Sequence, residues 1–301
     1  GDISTHENRA KNFGYMGAAF GMGFIIGPYL GGKLSSPSVS FYGLFDTPHW
    51  FGATTPFWFA AILALLNCTA VLTTFPETIK EKFHGGKIRV GQSLNNVVNG
   101  FMSDRLRVIL LSSFMFSAGF TFFTTFFGVY LRNKFSFSSS KIGDYFAIVG
   151  LCIALSQGLV VGRVAKKLVD FKVLKFSMFG TGAMMLIYFL TPTTSSMYLY
   201  MVIPFFAIFN GLCMANTSSL ISRSAEMGKQ GEAMGIYSSV SSLSQVPAAV
   251  LVGYITTSIT SSQPLIVASV CIGIAGLSFV LLFKPKYVSG VVGAADGMPV
   301  H

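Results

Sequence analysis

Residues 13–33 read FGYMGAAFGMGFIIGPYLGGK, twenty uncharged positions laced with glycine and closed by Lys33. At about 1.5 Å per residue, a helix of that length matches the ~30 Å hydrocarbon core of a bilayer. Outward from it, residues 108–131, 176–222 and 233–283 also lack Asp, Glu, Lys and Arg, and the last two runs are each long enough for two crossings and a turn. Charged residues make up 11% of the 301 and apolar ones 52%, with a mean hydropathy of +0.63. A soluble domain carries about 25% charge, so this chain lacks the polar surface a water-soluble enzyme needs. It reads as an all-α membrane protein.

Eight crossings follow: 13–32, 56–75, 108–131, 142–162, 176–190, 197–221, 233–257 and 265–283. Pro76 and Glu77 stop the second, and turn-forming clusters from Thr191 to Ser196 and from Ser261 to Pro264 separate later ones. Residues 35–55, with Pro37, Asp46, Pro48 and His49, are too polar to cross and read as a loop holding one short interfacial helix. Residues 77–107 form a basic, partly helical connector, and residues 284–301 a disordered tail. When alternate connectors are assigned to one side, only Lys33, Arg132, Lys134 and Lys141 of the 21 Lys and Arg fall on the other. Basic residues favour the cytoplasmic side. Both termini are therefore expected in the cytoplasm, in a cell (inner or plasma) membrane, and a miscount of one crossing would scramble the bias.

The same placement decides what the net charge of +10 means. The bases sit in short segments between apolar runs, so they report topology in a lipid bilayer and not nucleic-acid binding. Cys68, Cys152, Cys213 and Cys271 lie in crossings without ligand spacing and read as small packing residues. His6, His49, His84 and His301 are scattered, and no metal or cofactor is expected. The chain opens on Gly1 with no signal peptide and is expected to start part-way through a longer protein.

On a helix turning about 100° per residue, Gly14, Gly17, Gly21 and Gly32 share one side of the first crossing, and Gly23, Gly27 and Gly31 another. Such faces let neighbouring backbones approach closely. Pro28 removes one hydrogen bond and is expected to bend the helix. The seventh crossing repeats the pattern: the offset that lays Gly14 on Gly235 also lays Gly32 on Gly253. Two six-helix halves in parallel repeat are one way transporters are built.

The spacing Gly14, Gly23, Gly27-Pro28, Gly31-Gly32 resembles the antiporter motif in the fifth helix of drug-efflux members of the major facilitator superfamily. Residues 1–14 resemble the loop before that helix in tetracycline-efflux-like proteins. Pro56 to Ala61, Leu65-Leu66-Asn67 and Pro76-Glu77-Thr78 are similar to the helix after it. Residues 158–167, GLVVGRVAKK, resemble the basic loop joining helices eight and nine, without the Asp of its better-kept form. The resemblance implies helices five to twelve of a twelve-helix major facilitator-type bundle. Residues 1–76 would close the N-terminal half, 77–107 would be the cytoplasmic linker, and 108–283 the C-terminal six-helix half. It also implies an efflux antiporter that exchanges a small amphipathic molecule for protons by rocking two halves around a central site. The glycine motif would seal that site against proton leak, although plain packing would use the same glycines.

A proton-coupled exchanger needs an acid at membrane depth. Asp144 and Glu232 sit at the ends of their crossings, and Asp144 is expected to pair with Arg132, Lys134 or Lys141, its neighbours in sequence. Coupling carboxylates are expected outside this chain. Gln157, Asn210, Asn216 and Gln245 are the mid-span polar groups suited to substrate, joined by Phe120 from the third crossing; hydrogen bonding between helices would use the same amides. The seven phenylalanines from Phe114 to Phe127 lie all round that helix, so several are expected to face lipid. Asp2, Arg9, Gly162 and Arg163 are candidates for a cytoplasmic gate, against ordinary solvated charge. An uptake carrier of the same fold and a transport-inactive membrane scaffold stay open as alternatives. No constellation of His, Asp, Glu or Ser/Lys at membrane depth points to an enzyme.

Overall fold

Inside a bilayer no water satisfies the backbone, so each crossing has to close its hydrogen bonds within a helix. The computed structural model describes residues 22–23, 25–37, 40–41, 45–74, 98, 100–103, 106–161, 163, 170–225, 230–250 and 263–283. In chain order these form α1 (25–34), the two-residue strands β1 (Ser40–Phe41) and β2 (Phe45–Asp46), and α2 (Thr55–Thr74). Then follow α3 (Arg107–Phe135), α4 (Ser139–Ser156) running into a π-helical turn (Gln157–Val161), and α5 (Asp170–Leu190). The last are α6 (Met197–Ser224), α7 (Gln230–Leu243) and α8 (Gln263–Leu282). Six helices among the described residues are long and apolar enough to cross a membrane: α2, α3, α4 with its π turn, α5, α6 and α8. The first crossing is helical where described, and the seventh is helical over 233–243 and 246–250. Gly14 and Gly253 of the repeat, residues 77–97 of the connector and the tail from 284 lie outside the described residues.

Two of the expected elements need correction. Before α2 begins at Thr55, the loop from 35 holds no helix among its described residues but a small antiparallel hairpin, with Ser40 opposite Asp46 and Phe41 opposite Phe45. Pro37 and Pro48 flank it, and each removes an N–H that a helix would use. The seventh crossing is not continuous either: α7 stops at Leu243, Ser244 and Gln245 turn, and helix resumes over 246–250. Pro247 supplies the reason, because it has no N–H for the carbonyl of Leu243.

By packing, the chain divides into two compact units, 1–88 with 136–154, and 89–135 with 155–301. In the first, α1 and α4 meet glycine to glycine. A Cβ on Gly32 would stand 2.7 Å from the Ser139 carbonyl oxygen and 2.8 Å from Gly143 Cα, so only glycine permits the approach. Helix α2 buries none of its length within the structure.

In the second unit α8 lies against α3 and α5, α5 against α6, and α7 touches both α3 and α6. Lipid tails are as apolar as leucine, so close backbone approach and hydrogen bonds hold such helices together. Gly119 of α3 shows this: a Cβ there would sit 2.7 Å from the Ala268 carbonyl oxygen of α8. Ser112 and Ser278 share a hydrogen bond of 3.1 Å between the same helices, and Ser269 Oγ donates to the Gly182 carbonyl at 2.9 Å. One end of the unit is an aromatic cluster in which the ring of Phe123 lies 4.5 Å from Phe127 and 5.0 Å from Phe206. There Tyr130 Oη donates to the Tyr188 carbonyl and Lys134 Nζ to the Phe189 carbonyl at 3.0 Å, so α3 caps carbonyls in the last turn of α5. The phenylalanines of α3 therefore do not spread toward lipid as expected. Phe116, Phe122, Phe123, Phe126 and Phe127 are buried and Phe114 and Phe120 half-buried, because α6, α7 and α8 all pack on this helix.

Candidate functional site

Helices α3, α6 and α7 leave a cavity of about 180 Å³ in the second unit. From α3 it takes Ser113, Phe116, Ser117, Phe120 and Thr121, spaced i, i+3, i+4, i+7 and i+8, which is one face of a helix. From α6 come Met214 and Thr217; from α7 come Tyr237 and Ser241, one turn apart, with Gln245 a further turn on in the helix break. The rings of Phe116 and Phe120 lie nearly parallel, 6.4 Å apart at 5°. Ser241 Oγ donates to Ser117 Oγ at 3.4 Å, a long bond between α7 and α3. Ser113 and Thr121 spend their hydroxyl protons on their own helix, on the carbonyls of Ile109 at 2.6 Å and Ser117 at 2.8 Å. Among the described residues the lining holds no carboxylate, ammonium, guanidinium or imidazole. Hydroxyls, an amide and three aromatic rings bind and orient; they have no base to activate a nucleophile.

Of the residues singled out for the substrate path, Phe120 and Gln245 line this cavity and the others do not. Asn216 is buried and donates its amide to the Leu212 carbonyl of its own helix at 2.7 Å. Asn210 is buried with Oδ1 unpartnered, and Gln157 is exposed on the π turn. The hydroxyl residues of the lining were not singled out, since Ser and Thr are common in membrane helices. Their spacing was the available signal, with 113, 117 and 121 on α3 and 237 and 241 on α7 each repeating every four residues.

The first unit carries a second polar feature. Lys33 Nζ lies 3.1 Å from Asp144 Oδ1, donates to Asp144 Oδ2 at 3.1 Å, and donates to Ser140 Oγ at 2.9 Å. This corrects the expected partners: Asp144 pairs with Lys33, delivered by the Gly32–Gly143 crossing, and not with Arg132, Lys134 or Lys141. A cavity of about 340 Å³ opens beside the pair, walled by Ile25, Tyr29, Ala147, Ile148 and Leu151.

Of the glycine motif, Gly32 makes the close contact, and the Pro28 carbonyl oxygen would stand 2.8 Å from a Cβ on Gly143. At Gly23, Gly27 and Gly31 a Cβ would meet nothing within 4 Å, and Gly14 lies outside the described residues. Among the gate candidates Asp2, Arg9 and Gly162 also lie outside them; Arg163 is exposed, its guanidinium donating to the Leu159 carbonyl. Among the described residues no three His, Cys, Asp or Glu gather in a metal-binding cluster.

Comparison with known proteins agrees with this picture. The tetracycline resistance protein, class H, of Pasteurella multocida is 29% identical over 167 residues, covering 55% of this chain and 38% of that protein. Multidrug resistance protein 2 of Bacillus subtilis strain 168 is 26% identical over 294 residues, covering 95% of this chain and 67% of that protein. This chain thus spans well under half the length of the first relative and about two thirds of the second. The crystal structure of the human organic anion transporter MFSD10 (TETRAN) superposes with a TM-score of 0.56 at 16% identity, over 92% of this chain and 65% of that one, which shows the fold. The family model of the Major Facilitator Superfamily matches residues 1–249. The chain is a multi-pass helical membrane protein and belongs to the major facilitator superfamily, a family of transporters and not of enzymes.

Proposed function

We propose that the protein is a secondary transporter that exports a small amphipathic molecule in exchange for protons. The observation that carries the reading is the cavity of α3, α6 and α7, where hydroxyls, an amide and phenyl rings face one another inside helices that are otherwise apolar. Polar groups at membrane depth are costly unless they meet partners, and a passing substrate supplies them. Export is supported by the glycine spacing from Gly14 to Gly32 and by relatives named for resistance to tetracycline and to multiple drugs.

In this reading residues 1–76 belong to one half, 108–283 to the other, and 77–107 link them on the cytoplasmic side with both termini. The site is exposed alternately to each face as the halves rock. The Lys33–Asp144 pair then joins the halves near their outer surface and has to open when the site faces outward. Sealing by the glycine face and gating by Asp2, Arg9, Gly162 and Arg163 belong to the same proposal.

Everted membrane vesicles carrying the full chain test it. A fluorescent amphiphile is expected to accumulate when the lumen is made acid and to leave when a protonophore collapses the gradient. Movement that follows the gradient of the compound alone, without response to pH, favours the uptake or metabolite carrier. No movement beyond that in empty vesicles favours the transport-inactive scaffold.

A further inference from the structure

We infer that the cavity of α3, α6 and α7 receives one uncharged aromatic ring bearing oxygen substituents and turns charged groups away. This rests on the transport reading and names the part of the substrate that the site holds. Size comes first. A cavity of about 150 Å³ accommodates benzene in other proteins, so about 180 Å³ takes a single ring with one or two small substituents. The ring has a surface to lie on. Phe116 and Phe120 are nearly parallel, and Phe120 is only half-buried, which leaves part of its face for offset stacking.

The walls decide the polarity. Ser117 and Ser241 hold each other through one bond of 3.4 Å, and a phenol or carbonyl oxygen replaces it readily because a hydroxyl donates or accepts by rotating. Gln245 adds an amide with both functions at the helix break. Among the described residues no acidic or basic side chain lines the cavity. An ammonium or carboxylate placed there has no counter-charge, and a site of low dielectric penalises that heavily.

The test uses the full chain in lipid nanodiscs and three single-ring probes of similar shape: 4-hydroxyacetophenone, 4-hydroxybenzoate and 4-hydroxyphenyltrimethylammonium. Binding is read by saturation-transfer NMR against empty nanodiscs. The neutral probe is expected to bind at least about tenfold more tightly than either ion, or ~1.4 kcal/mol. Phe120→Ala is expected to weaken it about three- to tenfold. Ser241→Asp supplies the missing counter-charge and is expected to raise binding of the cation about tenfold; misfolding cannot produce such a gain. Preference for an ion in the wild type, weakened by Phe120→Ala, overturns the neutral-ring inference while leaving the site in place. Binding that ignores both substitutions, or no binding of any probe, also overturns it. Neutral-probe binding as expected, with no uptake by vesicles, overturns the transport reading and leaves this inference standing.

Discussion

Replacing Gly32 with Ala adds one methyl group to α1 where the structure has no room for it. The new Cβ would lie 2.7 Å from the Ser139 carbonyl oxygen and 2.8 Å from Gly143 Cα, both backbone atoms that no rotamer change can move aside. Restoring an ordinary contact of about 3.5 Å drives α1 and α4 apart by roughly 0.7–0.8 Å. Overpacking of this kind costs about 1–3 kcal/mol. The same displacement stretches the Lys33–Asp144 contact from 3.1 Å toward its limit. That pair, with side chains 13% and 42% exposed, contributes at most about 1 kcal/mol, so the steric effect dominates the loss. The assay is zero-length carbodiimide coupling in bilayer nanodiscs, which joins Lys33 to Asp144 only when ammonium and carboxylate touch, quantified by mass spectrometry and paired with SDS unfolding. Gly32→Ala is expected to reduce the coupled product several-fold and to destabilise by about 1–3 kcal/mol. Gly31→Ala, where a Cβ meets nothing within 4 Å, is expected to change stability by no more than about 0.5 kcal/mol. Wild-type coupling in Gly32→Ala would refute the glycine-to-glycine crossing.

Three further outcomes follow from the same geometry. Gly119→Leu drives a side chain into the Ala268 carbonyl of α8 and is expected to prevent α3 and α8 from packing, read as loss of a monodisperse species on size exclusion, whereas Gly119→Ala destabilises by about 1–3 kcal/mol. In a double-mutant cycle, Lys33→Gln and Asp144→Asn are each expected to cost less than about 1 kcal/mol, the double variant scarcely more than either, with the coupling shrinking as salt is raised. Ser112→Ala and Ser278→Ala, which break the same 3.1 Å hydrogen bond, are each expected to cost about 0.6 kcal/mol and to be non-additive in SDS unfolding.

Helix positions were legible in the sequence because lipid forces uncharged length and internal hydrogen bonding together: α3, α6 and α8 fall within a few residues of where the uncharged runs place them. The break in the seventh crossing was legible too, since Pro247 marks it, but the run from 233 to 257 carries no charge and reads as one crossing. The partner of Asp144 was not. Arg132, Lys134 and Lys141 are close along the chain, while Lys33 lies 111 residues away and arrives only through the Gly32–Gly143 contact. Half-buried Lys134 was likewise drawn to the carbonyl end of α5, an interaction that no local spacing encodes. Within the cavity, Phe120 and Gln245 stood out by chemistry, but Ser117 and Ser241 matter through where their helices cross. Asn210 and Asn216 stood out equally and lie elsewhere, because an amide in an apolar run reports a polar group and not the direction in which its helix faces.

The central claim, that the cavity of α3, α6 and α7 is where substrate binds, is tested most directly by protection of a cysteine placed in it. With Cys68, Cys152, Cys213 and Cys271 replaced, Ser241→Cys is treated with a small polar maleimide in membranes, with and without saturating transported compound. The account predicts that the compound slows alkylation at position 241 several-fold and leaves Ser239→Cys, on an exposed face of α7, reacting as before. Alkylation at position 241 that proceeds at the same rate under saturating compound would contradict it.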